Sequence, residues 1–248
     1  MSSYLTRVAE NILPRSVLQT LPEAFTEWHV NHSLVDHGWP CAVCELCEQE
    51  SLRWHFGISN AQTDHRLTIG SRCILRFDIE IRDAVNNRRI ASEAAGAYLD
   101  GMVRDLQRED CLGALEALVE LDPHPGLEGA LDRCKDKGSL TPRQAAHVLG
   151  RLAALGIEHH PDYFKVSLQR GKYRGDLVSL KPDQIAALWP ALTPAQRERA
   201  TWWGIQAPPP APVRRMTSKA KPWPYTKWRA LATDAELVAH GYMTMTVR

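Results

Sequence analysis

The stretch Cys41-Ala42-Val43-Cys44-Glu45-Leu46-Cys47, continued by Arg53-Trp54-His55-Phe56 and then by Gly70-Ser71-Arg72-Cys73-Ile74, decides how the rest of this 248-residue chain is read. Two cysteines separated by two residues put two sulfurs on one tight turn, which suits the tetrahedral preference of zinc. Leu52–Ser59 and Arg66–Ile69 read as strands joined by the polar turn Asn60-Ala61-Gln62-Thr63-Asp64. Such a hairpin brings the chain back to Cys73, which sits where a helix begins and follows the flexible Gly70. Cys44, Cys47 and Cys73 are therefore the expected ligands of a structural zinc ion, with His55 on the intervening strand as the fourth. Cys41 competes with His55 for that place, and His65 and Cys134 are more distant candidates.

Outward from this segment the composition is that of an ordinary globular protein. Hydrophobic residues make up 44% and charged residues 24%, so the chain can bury a substantial core. Six cysteines are too few for a disulfide scaffold, and three of them crowd into seven residues, which favours metal binding in a reducing compartment. Cys111 and Cys134 stand in helical sequence and read as buried thiols. The first residues lack the apolar run and cleavage site of a secretory signal, and no segment is apolar for the roughly 18 residues a membrane span needs. A cytoplasmic protein without membrane contact is expected.

The organisation reads as 1–77 with the zinc module, 78–206 as a mainly helical domain, and 207–248 as a proline-rich linker with a basic and aromatic arm. The fold class is α+β, predominantly helical, with a small zinc-stabilised hairpin and helix module at its start. A helix is expected from about Leu21 to Asn31. Helical texture runs from about residue 74 to 160, broken at Asp122-Pro123-His124-Pro125-Gly126. Thr141-Pro142-Arg143-Gln144 combines an N-cap, a first-turn proline and a capping-box glutamine, and the same device returns at Thr193-Pro194-Ala195-Gln196. The helix after Thr141 should bury Ala146, Leu149 and Leu152 and end at Gly156. Phe164 to Arg174 reads as a basic strand and turn, and Ala207-Pro208-Pro209-Pro210-Ala211-Pro212 as extended chain.

Catalytic patterns are missing. Pro40-Cys41-Ala42-Val43-Cys44 matches half of the zinc-deaminase signature, but His29-Val30-Asn31 puts an amide where that chemistry needs a glutamate. Neither H-E-x-x-H, a phosphate-binding glycine loop, nor G-x-S-x-G occurs. Asp78/Glu80 and Glu109/Asp110 read as solvated faces of helices. A binding protein is expected rather than an enzyme.

The net charge is only +1, but the cations are segregated. No acidic residue falls between Ala207 and Thr233, where Arg214, Arg215, Lys219, Lys221, Lys227 and Arg229 alternate with Trp223, Tyr225 and Trp228. Cations neutralise phosphates and flat rings stack on unpaired bases, so this arm suits nucleic acid. A second cluster is Lys165, Arg170, Lys172 and Arg174, and a third is Arg82, Arg88 and Arg89 beside Asn86 and Asn87.

The run from Cys44-Glu45-Leu46-Cys47 through Leu52-Arg53-Trp54-His55-Phe56 and Ile58-Ser59-Asn60 to Gly70-Ser71-Arg72-Cys73-Ile74 resembles a zinc module of phage and plasmid proteins. That module usually carries a histidine near position 57, where this chain has Gly57. In size, zinc module and helical remainder the chain resembles the zinc-finger large-subunit-like proteins of type IV CRISPR effector complexes. The resemblance implies a non-catalytic subunit of an RNA-guided antiviral ribonucleoprotein. Its partners would be guide RNA, target DNA and other protein subunits. It would contact the 5′ end of the guide and help recognise the motif flanking the target, while base pairing reads the sequence. Two other classes fit the same residues: a free-standing phage or plasmid DNA-binding accessory in replication or recombination, and a protein–protein adaptor docking through its aromatic tail.

Overall fold

The computed structural model describes residues 4–169 and 171–209. It is an α+β fold, mostly helical, with one small antiparallel sheet near its start. The chain divides into two compact units between Val103 and Arg104, inside a single long helix. The boundary expected from the sequence lies earlier, at residue 77, where the metal-type segment ends.

The first unit opens with α1 (Tyr4–Ile12), which buries Val8 and Ile12, one turn apart on the same face. A short helix α2 (Leu21–Ala24) follows. The helix expected over Leu21–Asn31 stops there. A single 3-10 turn spans Phe25–Glu27, and strand β1 (Trp28–Asp36) takes over. Trp28, Val30 and Leu34 are buried with polar residues between them, and this period-two pattern overrides the helical reading. β2 (Trp54–Asn60) and β3 (Arg66–Ile69) form the expected hairpin, and the sheet order is β1-β2-β3. Phe56 and Ile58 face the core with Leu67 and Ile69.

Two buried carboxylates brace this frame. Glu27 accepts hydrogen bonds from the backbone amides of Val17 (2.9 Å) and Leu18 (2.6 Å) and from Asn60 Nδ2 (2.7 Å). Burial alone would raise its pKa, but these three bonds together outweigh it and hold the carboxyl below its usual value. Asp36, fully buried at its side chain, takes a two-pronged contact from Arg53, 2.9 Å from Nε and 2.9 Å from Nη2.

The β1–β2 register shifts between Val30 and Leu34, where His32 adopts a left-handed φ of 62°. Asn31 Oδ1 accepts from the amide and hydroxyl of Ser33, and Asn31 Nδ2 donates to Ser59 Oγ. This bulge lies directly against Gly57, leaving no room for a side chain there: a Cβ would collide with Ser33 Oγ and Asn31 Oδ1.

Helix α3 (Ser71–Arg76) starts where expected but is short. Residues 77–91 are not helical, against the expectation of continuous helix from residue 74. Ile90 and Asp83 donate to the carbonyls of Ile81 and Arg88, closing a tight loop, and the Asp83 carboxylate accepts from the amides of Val85 and Asn86. An aspartate that bonds its own backbone two and three residues on competes with helix and makes a turn. Helix α4 (Ser92–Leu121) then runs unbroken to the interruption expected at Asp122-Pro123.

In the second unit the residues of α4 from Arg104 onward are followed by α5 (Pro125–Lys137) and α6 (Pro142–Ala154). Then come α7 (Gly171–Val178), α8 (Pro182–Leu188) and α9 (Pro194–Trp202). Both expected capping boxes form: Thr141 Oγ1 accepts from the Gln144 amide at 3.2 Å, and Thr193 Oγ1 from the Gln196 amide at 3.3 Å. Ala146, Leu149 and Leu152 are buried, Gly156 turns the chain with φ of 65°, and Cys111 and Cys134 lie inside. The basic segment differs from expectation. Val166 makes one bridge to Leu140, but Lys172 and Arg174 ride on helix α7 rather than on a strand and turn. Tyr173 and Leu177, four apart, bury the inner face that makes the helix worthwhile. Among the described residues no helix is long and apolar enough to cross a membrane.

Candidate functional site

Cys44, Cys47 and Cys73 converge. All three are buried, and their sulfurs lie within 4.8 Å of one another, with Cys47 to Cys73 at 3.3 Å and Cys44 to Cys73 at 3.8 Å. The knuckle is shaped by backbone bonds. Glu48 N donates to Cys44 O (2.8 Å), Cys44 N to Gln49 O (2.9 Å), and Glu45 N reaches Thr68 O on β3 (3.0 Å). Leu46, fully buried, anchors the turn in the core.

The arrangement fits a metal ion on three counts. Ligands sharing one tetrahedral zinc lie about 3.8 Å apart when zinc–sulfur bonds are about 2.3 Å, close to the observed spacings. Three thiols buried together would otherwise be an odd use of a core. Lastly, the Cys44 sulfur is prepared to be a thiolate: a hydrogen bond from Cys73, and then the amides of Gly70, Cys47 and Leu46, pull its pKa down against burial. Cys73, the partner in that shared proton, is pushed up by the same bond and by burial. Three buried cysteines that can hold a metal are thus in place.

The expected fourth ligand does not join them. His55 is buried, but its Nδ1 is bound to His37 Nε2 at 3.2 Å, and its ring is not part of the cluster. Burial lowers the pKa of both imidazoles, which disfavours their charged forms. Cys41 is exposed and its backbone is tied to Leu52. Cys134 belongs to the second unit, and His65 is outside the cluster. The position three residues before Cys73, which in a second C-x2-C would be a ligand, is Gly70, whose amide serves the Cys44 sulfur instead.

Sequence reading missed α1. Tyr4, Arg7 and Asn11 lie on one stripe of that helix and meet the knuckle. Arg7 Nε donates to the Cys47 carbonyl (3.2 Å), Asn11 Nδ2 to the Leu46 carbonyl (3.3 Å), and the Tyr4 hydroxyl lies 3.7 Å from the Cys73 sulfur. The signal is the spacing of Tyr4, Arg7 and Asn11 at i, i+3 and i+7, on the flank of the apolar pair Val8 and Ile12.

The basic residues fall in separate places. Arg88 and Arg89 are exposed on the 81–90 loop; Arg89 sits 3.7 Å from Asp78, and Val85 projects at 94% exposure. In the second unit Lys165 is exposed at a cavity of about 230 Å³ shared with Arg104, Arg108, Asp105, Cys111 and Tyr163. Lys172 and Arg174 are exposed on α7. Arg174 lies over the Trp203 ring at 5.7 Å and Lys172 over Tyr173 at 5.5 Å. The neighbouring Trp202, which sequence reading passed over, is 80% exposed at the end of α9. Arg170 and the arm residues Arg214, Arg215, Lys219, Lys221, Trp223, Lys227, Trp228 and Arg229 lie outside the described residues.

No protein-family model, curated protein or solved structure matches the chain.

Proposed function

We propose that this chain is a zinc-stabilised, non-enzymatic nucleic-acid-binding protein. In the form its sequence resemblance implies, it is a subunit of an RNA-guided effector complex that contacts the guide and the duplex flanking the target. The observation that carries the reading is the α7 and α9 surface. Lys172 and Arg174 are exposed without a carboxylate partner among the described residues, and the 80% exposed Trp202 stands next to the Trp203 ring that Arg174 covers. Exposed cations neutralise phosphate and release counterions, and an exposed indole is a platform for an unpaired base. The cavity at Lys165, with Arg104 and Arg108 against a single Asp105, adds a second place where an oxyanion is favoured.

Zinc is the metal this reading assigns to Cys44, Cys47 and Cys73, because an all-thiolate donor set favours it over oxygen-seeking cations. Its role is structural: it ties the knuckle to the start of α3. The test is to isolate the tagged protein from its host and sequence co-purifying RNA. Uniform short RNAs with a common 5′ segment support the guide-complex form. A protein free of RNA that binds neither RNA nor DNA in a salt-dependent manner overturns the reading.

A further inference from the structure

The three thiols leave one corner of a tetrahedron unfilled, and a phenol rather than a further cysteine reaches the cluster from helix α1. The Tyr4 hydroxyl lies 3.7 Å from the Cys73 sulfur. A sulfur and an oxygen bound to the same zinc, at about 2.3 and 2.0 Å, are separated by about 3.5 Å. The tyrosine is held in this position from several sides. Its ring stacks on Phe77 at 6.2 Å with an 11° interplanar angle, and the Arg76 guanidinium sits 4.3 Å from its centroid. One and two turns further along α1, Arg7 and Asn11 fasten the helix to the knuckle carbonyls of Cys47 and Leu46.

We propose that Tyr4 supplies the fourth donor, its phenolate oxygen completing a three-sulfur, one-oxygen zinc centre, so that α1 is part of the metal site. This rests on the metal reading given above. Three thiolates and a phenolate on one zinc carry a net charge of −2, which the Arg76 guanidinium over the ring partly offsets, while Arg7 at the knuckle is shared with Glu48 at 3.8 Å. Binding breaks the phenol O–H bond, releases that proton to solvent and forms a zinc–oxygen bond; no electrons move. Gly70 explains the need: the helix start that would have offered a fourth cysteine carries no side chain.

The test titrates zinc into the metal-free full-length chain and follows metal content, the zinc X-ray absorption edge and the near-ultraviolet difference spectrum together. The expected result is one zinc per chain, a first shell of three sulfurs and one oxygen, and one equivalent of tyrosinate absorbance. The variant Tyr4→Phe, which keeps the ring stacked on Phe77, should lose that absorbance and hold zinc at least about tenfold more weakly. A chain that takes up no zinc overturns the metal reading itself. One zinc with four sulfurs, or with no tyrosinate signal, leaves that reading standing and overturns the role of Tyr4 alone.

Discussion

Replacing Arg53 by methionine strands a charge. Asp36 has no exposed side-chain surface, and both of its oxygens are met by the Arg53 guanidinium at 2.9 Å. Methionine matches the aliphatic stem but leaves a buried carboxylate with only the Gly38 amide, at 2.8 Å, for company. Removing one partner of a buried pair typically costs about 3–5 kcal/mol. The Arg53 side chain is 26% exposed, so water can partly follow it in, and the lower end, about 3 kcal/mol, is expected. The double variant Arg53→Met with Asp36→Leu removes the stranded charge and should recover most of the loss. It should remain about 1 kcal/mol below the original, the worth of the Gly38 bond. Urea unfolding of the zinc-loaded protein, read through tryptophan fluorescence, measures both. Midpoints should shift with the denaturant slope unchanged. A single variant within about 1 kcal/mol of the original, or a double variant weaker than the single, would refute the reasoning.

Three further outcomes follow from the same structure. Stripping the metal with a chelator should unfold the first unit and expose Trp28 while α6 of the second unit stays helical; a melting curve unchanged after proven metal loss contradicts this. Glu27 has a lowered folded pKa, so its contribution to stability is complete above its unfolded value near 4.5 and is lost as pH falls through the folded value; Glu27→Gln should flatten that acid limb, and an unaltered limb counts against it. Substituting Lys172 and Arg174 together by alanine should weaken binding to single-stranded RNA and reduce the slope of log affinity against log salt by about 1.4, two contacts at about 0.7 each; equal slopes would remove α7 from the interface.

Much of the centre was legible because its determinants are local. A C-x2-C turn, a hairpin with a polar turn and a cysteine at a helix start are short-range patterns, and the structure brings Cys44, Cys47 and Cys73 together as their spacing implied. Both threonine capping boxes formed for the same reason. What escaped depends on distant partners. Leu21–Asn31 carries helical composition, yet β1 forms because Val30 and Leu34 find Ile58 and Phe56 across the sheet. The 77–91 segment carries helical composition, and the bonds that the Asp83 carboxylate accepts from the Val85 and Asn86 amides leave no apolar signature in the sequence. His55 reads as a ligand by its place on the intervening strand, but its Nδ1 meets His37, eighteen residues away, and its ring lies outside the cluster. Tyr4 is 69 residues from Cys73, beyond the reach of any spacing rule.

The bulge opposite Gly57 couples what position 57 can carry to the side chains of the neighbouring strand. A histidine at position 57 would force Asn31 and Ser33 on the neighbouring strand to move, because its Cβ would take the space their side-chain oxygens hold. Cutting those two back first would dismantle the bonds that hold the bulge and the turn at His32, at a cost borne before any new ligand existed. The two strands are thus epistatic across one atom's clearance. With glycine at position 57, a fourth donor for the three thiols has to come from elsewhere in the chain.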